Sequence, residues 1–500
     1  MSIKSIASII ANLATEQPEA LAITVRGQVG TLEDQCSITR KELELSSNRL
    51  ARAYQRMGVK AGDFVTIMLP NSIEFYQACI ALWKLGATPQ PVSSRLPLIE
   101  LKAIIALAKP SLLLGWERDE NAGIISDCPC LPVGYEPVEG LFSSDRLPDI
   151  TSKYYKAMTS GGSTGRPKLI VSAFKGELDV EVASVLRILQ NETQLVPGPL
   201  YHNAPFVYSM DGLLRGNHLV VMVKFNAERC LHLLHEYRVN WVFMVPTMMQ
   251  RIWKLSAQKR ALVDLSCMRV LLHTAGPCPA WLKQEWIDWL GAEKVHELYG
   301  GTEAIGVTWI TGTQWLTHKG SVGKLEARYV ESDIKIVDSE GKELPTGQLG
   351  EIYFLPAAGQ GSTYHYLGAK ADSLVGGWES IGDLGYLDEE GYLYLADRKK
   401  DLIVSGGANI YPAEVEAAID SHPAVLSCAV VGVAHEDLGQ VVHAVVESVG
   451  DLSEQGLQSY LEMLLVRYKI PRTVELVDKP VRNDSGKVRR SELAGVRAAS

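Results

Sequence analysis

The chain has 500 residues, of which 46% are hydrophobic and 21% are charged, and its formal net charge is -9 at pH 7. This length and composition predict a globular protein of two or more domains, and the acidic balance disfavours general binding to nucleic acid or to anionic membranes. The sequence shows no signal-peptide core, no stretch that approaches a membrane span, and no zinc-like spacing among its 8 cysteines. We therefore expect a soluble, cytoplasmic protein with reduced thiols.

The first clear structural pattern lies at residues 63–92. It predicts a strand, a helix and a second strand. Asn71 and Ser72 can cap the start of the helix, and Gly86 can end it.

The stretch TSGGSTGRPKLIV, at 159–171, has the glycines and hydroxyls of a phosphate-binding loop. It lacks the G-K-[ST] of a Walker loop, because Gly165 is followed by arginine and proline. The β-branched run after the proline predicts a strand, so we expect a hairpin between two strands. Backbone N–H groups and the hydroxyls of Ser160, Ser163 and Thr164 can bind phosphates in such a loop. Taken alone, the stretch fits a surface hairpin without a ligand equally well.

Two later segments, at 230–255 and 267–304, again alternate helices with short apolar strands. Repeated βα units predict a layered α/β architecture with a partly parallel sheet. From about Ser321 the pattern changes to short strands and tight turns, with hairpin turns at 339–341 and 389–391. This change predicts a small β subdomain that ends the large domain.

The last hundred residues predict a compact α+β domain, because strand, helix and strand patterns follow one another after Arg398. We place the large N-terminal domain at 1–396, the connecting segment at 397–400 and the small C-terminal domain at 401–500. The predicted fold class is therefore α/β, with a second, smaller α+β domain.

Five motifs follow one another in a fixed order: the stretch at 159–171, YGGTEAIG at 299–306, GDLG at 382–385, DRKKDLIVSGGANIYPAEVE at 397–416, and NDSGKVRR at 483–490. In this order and spacing, the chain resembles the adenylate-forming superfamily, which includes acyl- and aryl-CoA synthetases, adenylation domains of peptide synthetases, and beetle luciferases. The resemblance covers nearly the whole chain. The motifs look most like those of the acyl-CoA synthetase branch that includes bile-acid-type ligases.

This resemblance implies an AMP-forming carboxylic acid–CoA ligase that uses ATP, Mg²⁺ and coenzyme A. Such an enzyme joins a small-molecule carboxylic acid to the α-phosphate of ATP, releases pyrophosphate, and then transfers the acyl group to a thiol. The main alternative is an enzyme that loads an acid onto an acyl carrier protein. A luciferase-like oxygenase, a non-catalytic binding protein and a kinase remain as further alternatives, and family members frequently form homodimers.

The resemblance also implies roles for individual residues. Lys487 would bridge the carboxylate and the α-phosphate, a role that suits a compact ammonium group. Glu303 would bind Mg²⁺ together with Thr164, Thr302 would hydrogen-bond the α-phosphate, and His202 would lie beside the acid. A surface lysine and a structural histidine are the competing interpretations of the first and last of these positions.

For the nucleotide, Tyr299 would stack on adenine, while Asp383 and Arg398 would hold the ribose hydroxyls. Core packing of the tyrosine and an exposed hairpin-end arginine are the alternatives. The candidates for ATP binding are Ser160, Gly161, Gly162, Ser163, Thr164, Gly165, Lys168, Gly276, Pro277, Glu297, Leu298, Tyr299, Thr302, Asp383, Arg398 and Lys487.

For the other substrates, the resemblance implies an acid pocket near His202 and a tunnel for the thiol arm of CoA. The candidates for the acid pocket are His202, Phe206, Val207, Thr274, Ala275, Gly300 and Gly301. Ser405, Gly406 and Gly407 would line the CoA tunnel, and Lys400 would be the hinge about which the small domain moves. Aromatic and methionine residues near the pocket favour a bulky apolar acid, although core packing explains them equally well. Asp211 is a weak candidate partner for an amino-acid substrate.

Overall fold

The computed structural model describes residues 3–27, 35–116, 127–138, 140–160, 167–326, 331–483, 486–488, 490 and 493. The helices within these ranges are α1 (Ile6–Glu16), α2 (Arg40–Arg56), α3 (Ile73–Lys84), α4 (Leu98–Ala108), α5 (Asn203–Leu214), α6 (Ala227–Glu236), α7 (Pro246–Trp253), α8 (Ala257–Ala261), α9 (Ala280–Leu290), α10 (Gly312–Thr317), α11 (Pro412–Asp420) and α12 (Glu454–Glu462). None of them combines the length and the apolar character that a membrane crossing requires.

The strands in the same ranges are β1 (Lys4–Ser5), β2 (Leu21–Arg26), β3 (Gln35–Thr39), β4 (Phe64–Ile67), β5 (Thr88–Pro91), β6 (Leu112–Leu114), β7 (Cys130–Leu131), β8 (Ala157–Ser160), β9 (Lys168–Ser172), β10 (Glu177–Leu178), β11 (Thr193–Val196), β12 (His218–Met222), β13 (Trp241–Met244), β14 (Val270–His273), β15 (Val295–Gly300), β16 (Val307–Thr311), β17 (Ser321–Leu325), β18 (Ser332–Val337), β19 (Gly350–Pro356), β20 (Tyr364–Leu367), β21 (Asp372–Ser373), β22 (Glu379–Ser380), β23 (Asp383–Leu387), β24 (Leu393–Arg398), β25 (Ile403–Ser405), β26 (Ala408–Ile410), β27 (Val425–His435), β28 (Gly439–Ser448) and β29 (Thr473–Val477). Two short 3₁₀ turns, at Lys399–Asp401 and Arg467–Lys469, complete the described elements.

The large domain contains the predicted βα units. Strands β4 and β5 pair in parallel around α3, which begins after Ser72, and the Ser72 hydroxyl accepts a hydrogen bond from the Phe75 N–H. Gly86 follows the helix with φ of 71°, the left-handed conformation in which glycine carries no steric penalty. Strands β13, β14 and β15 form a second parallel run. The layered, partly parallel α/β architecture is therefore confirmed.

The stretch at 159–171 forms the predicted hairpin. Strands β8 and β9 pair antiparallel, with Ser160 opposite Lys168, and β20 pairs with the other edge of β9. The loop residues 161–166 lie outside the described part of the chain. The hairpin therefore brings Lys168 next to the strand that carries Tyr366.

A mainly antiparallel sheet forms the predicted β subdomain. Both predicted turns are closed by the same backbone hydrogen bond. The Asp338 N–H donates to the Lys342 carbonyl, and the Asp388 N–H donates to the Tyr392 carbonyl. Each aspartate also accepts two backbone N–H groups on its side chain. These side-chain bonds explain why the acidic and glycine-rich sequences specify hairpin turns here.

The small domain is a five-stranded sheet of β25 to β29 with α11 and α12 packed on it. It meets the large domain at α7, where Gln250 Nε2 donates to the Asp420 carbonyl over 3.3 Å. Nearby, a guanidinium nitrogen of Arg251 lies 3.9 Å from a carboxylate oxygen of Glu447. The turn around Gly486 lies over the end of β13, because a Cβ at Gly486 would lie 3.2 Å from Thr247 Oγ1 and 3.6 Å from Val245 Cγ2.

Candidate active site

Two strand ends of the large sheet carry unusual backbone conformations. Ala275 follows β14 with φ of 75°, and Ala304 follows β15 with φ of 53°. Both angles are unfavourable for a residue with a side chain, and such strain is concentrated at functional sites. The strands are parallel neighbours, so both strained turns lie at the carboxyl edge where α/β proteins bind ligands.

Asp383 is the centre of a buried polar group beside β15. Tyr299 donates its hydroxyl to Asp383 Oδ2 over 2.8 Å, and Arg398 Nε lies 3.3 Å from Asp383 Oδ1. Burial raises the pKa of Asp383, while Arg398 and the tyrosine hydroxyl oppose that rise. Asp383 and Arg398 are cross-strand partners of β23 and β24, so the hairpin register itself sets this pair. The ring of Tyr299 packs in the apolar core, as the alternative interpretation of this residue, core packing, predicts.

Glu303 lies in the turn after β15 and faces the hairpin. Tyr366 donates its hydroxyl to Glu303 Oε1 over 2.6 Å, and Lys168 Nζ lies 3.7 Å from the same oxygen. The Lys168 ammonium also stands 3.8 Å from the centre of the Tyr366 ring. Thr363 holds the main chain of Glu303 by donating to its carbonyl over 2.9 Å. Burial lowers the pKa of Lys168 and the glutamate opposes it.

Glu303 fits a magnesium ion that is coordinated mainly by phosphate. Within the described ranges no three His, Cys, Asp or Glu side chains come together as a metal site. A buried carboxylate that supplies one or two hard oxygen ligands suits Mg²⁺, which usually keeps phosphate and water ligands. The second predicted ligand, Thr164, lies outside the described residues, as do Gly161, Gly162, Ser163 and Gly165.

Lys487 is presented by a tight turn of the small domain. Its backbone N–H donates to Asn483 Oδ1 over 2.9 Å, and its carbonyl accepts from the Asn483 N–H over 3.0 Å. Gly486 has φ of 74°, and a Cβ there would lie 3.2 Å from Thr247 Oγ1. The lysine is solvent-exposed, yet surrounding protein lowers the pKa of its ammonium.

Electrostatic effects on the pKa values of Lys487 and His202 identify charged groups that lie near them. Arg398 lowers the pKa of Lys487 further, whereas Glu303 raises it. In turn, burial and then Lys487 lower the pKa of His202 to about 3, so its imidazole is neutral at neutral pH. The structure therefore brings together Lys487, Arg398, Glu303 and His202 from distant parts of the sequence.

The turn that carries Lys487 is anchored by a residue that sequence reasoning missed. Glu416, buried on α11, binds Arg482 through Oε2 at 2.7 Å and Arg490 through Oε1 at 2.6 Å. Arg482 also donates to the Gly486 carbonyl over 3.1 Å. The available signal was the pair of arginines on either side of the lysine, with Arg482 directly before the NDSGKVRR motif and Arg490 at its end.

The His202 region divides into exposed and core positions. His202 precedes α5, and its Nε2 is buried without a hydrogen-bond partner among the described residues. Val207 is half-buried, whereas Phe206 is fully buried against Phe75, Trp83 and Tyr155. Phe206 thus packs in the core behind the predicted pocket.

Lys156 was also missed by the sequence analysis. It is a buried lysine just before β8, and its ammonium donates to Asn203 Oδ1 at the start of α5.

Asp211, further along α5, is bound by Arg215 at 3.0 Å and by Ser184 at 2.6 Å, so an amine partner would have to displace both.

The remaining nucleotide and acid candidates line the same edge. Glu297 forms a buried ion pair with Lys283 at 2.6 Å, and Leu298 lies in the apolar core on the opposite face of β15. Gly301 leaves room for the Glu303 carboxylate, because a Cβ there would lie 2.8 Å from Oε2. Thr274 is buried and Thr302 is half-buried. A Cβ at Gly276 would meet nothing within 4 Å. The other candidate positions on this edge are Pro277 and Gly300.

The predicted CoA residues form a separate turn in the small domain. Ser405 ends β25, and Gly406 and Gly407 follow with φ of 56° and 83°. Both glycines are exposed. Lys400 lies in the 3₁₀ turn after β24, where burial and Arg398 lower its pKa.

Comparison with known proteins gives a consistent assignment. The profile of the AMP-binding enzyme family matches residues 10–365, and the profile of its C-terminal domain matches residues 414–487. A feruloyl-CoA synthase of Amycolatopsis sp. is 32% identical over 470 residues, covering 91% of this chain and 93% of that protein. A fatty acid–[acyl-carrier-protein] ligase of Streptomyces coeruleorubidus is 28% identical, covering 96% and 94%.

Solved structures agree with these relatives. The o-succinylbenzoate CoA synthetase from Bacillus subtilis, in complex with its acyl-adenylate intermediate, superimposes with a TM-score of 0.81 at 26% identity, covering 99% of this chain and 98% of that one. The same enzyme in complex with ATP and a magnesium ion gives a TM-score of 0.80, at 27% identity and coverage of 98% and 100%. The chain belongs to the AMP-binding enzyme family, within the adenylate-forming superfamily, and is an AMP-forming acid–thiol ligase.

Proposed function

We propose that this enzyme activates a carboxylic acid with ATP and transfers the acyl group to coenzyme A. The observation that carries the proposal is that Lys487 lies within electrostatic reach of Glu303 and Arg398, and that Arg398 pairs with Asp383 at 3.3 Å. These groups have the charges that ATP and an acid require, and they come from both domains.

In the first half-reaction, a carboxylate oxygen attacks the α-phosphorus, and the bond to the pyrophosphate oxygen breaks. Two anions must approach each other, so the reaction depends on positioning and on stabilising negative charge. Lys487 supplies a positive charge between them, and Thr302 donates a hydrogen bond to the α-phosphate. Asp383 and Arg398 hold the ribose, and neutral His202 orients the acid without adding charge.

Glu303 would hold Mg²⁺, which neutralises phosphate charge when bound. The other groups that we assign to the triphosphate are the hairpin residues at 160–165 and Lys168. Lys168 already neutralises part of the Glu303 charge across 3.7 Å, so it holds the carboxylate in place.

In the second half-reaction, the thiol sulfur attacks the acyl carbon, AMP leaves, and the thiol proton is released to solvent. We infer that residues 397–400 form the hinge between a large domain at 1–396 and a small domain at 401–500, with Lys400 at the pivot. Rotation there withdraws Lys487 and brings the turn of Ser405, Gly406 and Gly407 to the site. Glycines suit this turn because a thin thiol arm can then pass close to the backbone.

Replacing Gly407 by phenylalanine is expected to spare pyrophosphate release and to slow thioester formation from acyl-adenylate about 10²-fold. A Cβ at Gly407 meets nothing within 4 Å, so the fold loses only the cost of φ at 83°, about 1–2 kcal/mol. Gly450→Phe is the matched control. Gly450 has φ of 74° and equally open surroundings, and it lies in a different turn from Gly407. Equal slowing of thioester formation by both variants would contradict the assignment.

The alternative acceptor is an acyl carrier protein, which the carrier-protein ligase among the relatives favours. Pyrophosphate release with ATP and Mg²⁺ should be measured across a panel of acids, with and without CoA. Faster release with CoA, together with AMP and a thioester, is the expected result. Release that CoA does not change, with no thioester, would assign the enzyme to carrier loading.

Three further properties belong to this proposal. The free state of all 8 cysteines and the use of ATP and CoA support a cytoplasmic location. We propose a bulky apolar acid body and a homodimeric assembly. Sedimentation analysis measures the assembly, and the acid panel measures the substrate preference.

A further inference from the structure

Lys156 places a cation inside the large domain beside the predicted acid pocket. The residue is 7% exposed, and its carbonyl accepts the Ser172 N–H over 2.9 Å, which fixes it at the base of the β8–β9 hairpin. Its ammonium reaches across to α5 and donates to Asn203 Oδ1. The β8–β9 hairpin and α5 together fix the position of the Lys156 ammonium, so the fold itself determines where this charge lies.

The ammonium has fewer partners than a buried charge requires. A lysine has three N–H donors, and the described residues give this one a single acceptor, the neutral amide oxygen of Asn203. The carboxylate that acts on it, Glu303, is already bonded to Tyr366 and paired with Lys168. Burial lowers the pKa of Lys156 to about 8 and Glu303 opposes the fall, so the group still carries its charge at neutral pH. A buried charge of this kind is costly unless an acceptor satisfies it.

The neighbours of Lys156 belong to the acid pocket. Asn203 follows His202 directly, and Val207 lies one helical turn further along α5 on the same face. These three residues are half-buried, in contrast to the fully buried Phe206. An acid bound beside His202 would therefore pass the Asn203 amide and come within reach of the lysine ammonium.

We propose that Lys156 is a specificity-determining residue that donates hydrogen bonds to a second oxygen acceptor on the body of the acid substrate. The inference rests on the proposed function, in which the pocket beside His202 holds a carboxylic acid. The acceptor is a second carboxylate in the strongest case and a ketone oxygen in a weaker one, because a carboxylate also compensates the buried charge. The acid is then mostly apolar, with one polar group remote from the reacting carboxylate.

The test uses acids in matched sets, each set sharing one skeleton and carrying a carboxylate, a ketone or a methyl group at the remote position. Alkyl chains of increasing length and one aryl-oxobutanoate skeleton cover the possible separations. Calorimetric binding to the full chain is measured first, and pyrophosphate release with ATP and Mg²⁺ second. In at least one set, the wild-type protein is expected to bind the carboxylate about tenfold or more tightly than the methyl analogue.

Two substitutions separate charge from hydrogen bonding. Lys156→Met keeps the length and apolar stem, so it should lose the preference for both oxygen analogues and bind the methyl analogue as wild type does. Lys156→Gln keeps a neutral donor, so it should retain the ketone preference and lose the carboxylate preference. Lys153→Met, at an exposed lysine on the same segment, should change neither. Thermal unfolding of each variant identifies general loss of structure.

Failure of the ligase function and failure of the Lys156 role give different results. If no acid in any set supported pyrophosphate release, the proposed ligase function would be refuted, whatever Lys156 does. Release by the wild type without an oxygen preference in any set would overturn the role of Lys156. That role would also be overturned if folded Lys156→Met and Lys156→Gln proteins both kept the wild-type ratio of affinities.

Discussion

The Lys487→Ala variant is expected to release pyrophosphate about 10²–10³-fold more slowly than the wild type, with little change in the affinity for ATP. The ammonium is close enough to Arg398 and Glu303 for both to shift its pKa, and this agrees with the position that we propose for it between the carboxylate and the α-phosphate. Its removal leaves two anions to approach without a bridging cation. Thioester formation from supplied acyl-adenylate is expected to remain at the wild-type rate, because the proposed rotation withdraws Lys487 from the site in that half-reaction.

Stopped-flow measurement of the two half-reactions checks this expectation. Lys479→Ala is the control, since Lys479 is an exposed lysine of the same domain. If Lys487→Ala slowed both half-reactions equally, the assigned rotation of the small domain would be wrong. A normal rate of pyrophosphate release would remove Lys487 from the mechanism altogether.

Replacing Glu416 by leucine is expected to destabilise the small domain by about 3–5 kcal/mol. The buried carboxylate compensates the half-buried guanidinium groups of Arg482 and Arg490, so its loss leaves two cations with reduced compensation, although Arg490 keeps its pair with Asp401 at 3.1 Å. Native-state hydrogen exchange of α11 in the full chain is expected to become about 10²–10³-fold faster, at 1.4 kcal/mol per tenfold change. Pyrophosphate release should fall as well, because the turn of Lys487 loses its anchor.

The neighbouring Glu414 provides a matched control on the same helix. It pairs with Lys469 at 2.6 Å, but the glutamate side chain is 44% exposed, so Glu414→Leu is expected to cost less than about 1 kcal/mol. Similar exchange rates in the two variants would show that burial of the Glu416 network contributes nothing beyond a surface pair. Loss of pyrophosphate release with unchanged exchange would assign Glu416 a direct chemical role instead.

Local sequence was sufficient for the elements that local physics determines. The cap at Ser72 and the turn at Gly86 were predictable, because each depends on a residue type at one position of one helix. The hairpin at 159–171 was predictable because Pro167 opposes a helix and the residues after it are β-branched. The two aspartate turns followed from the same kind of short-range evidence.

The site could be predicted only where a motif marks it. Lys156, Tyr366 and Glu416 had no role that a motif implied, and each acquires its position from a residue far away in the chain. For Phe206 the sequence suggested a position in the pocket wall. Aromatic contacts with residues far away in the chain place it in the core instead. Tertiary packing decides these cases, and a single sequence contains no direct record of it.

The hydrogen bonds and ion pairs that hold the Lys487 turn in the described residues come from the small domain, and this has an evolutionary consequence. The lysine turn is held by Asn483, Arg482, Arg490 and Glu416, whereas the acid pocket that we propose around His202 belongs to the large domain. Substitutions that retune the pocket therefore leave the lysine turn undisturbed. We therefore expect the same small domain to serve relatives that activate different acids, because the lysine turn and the proposed pocket share no described hydrogen bond or ion pair.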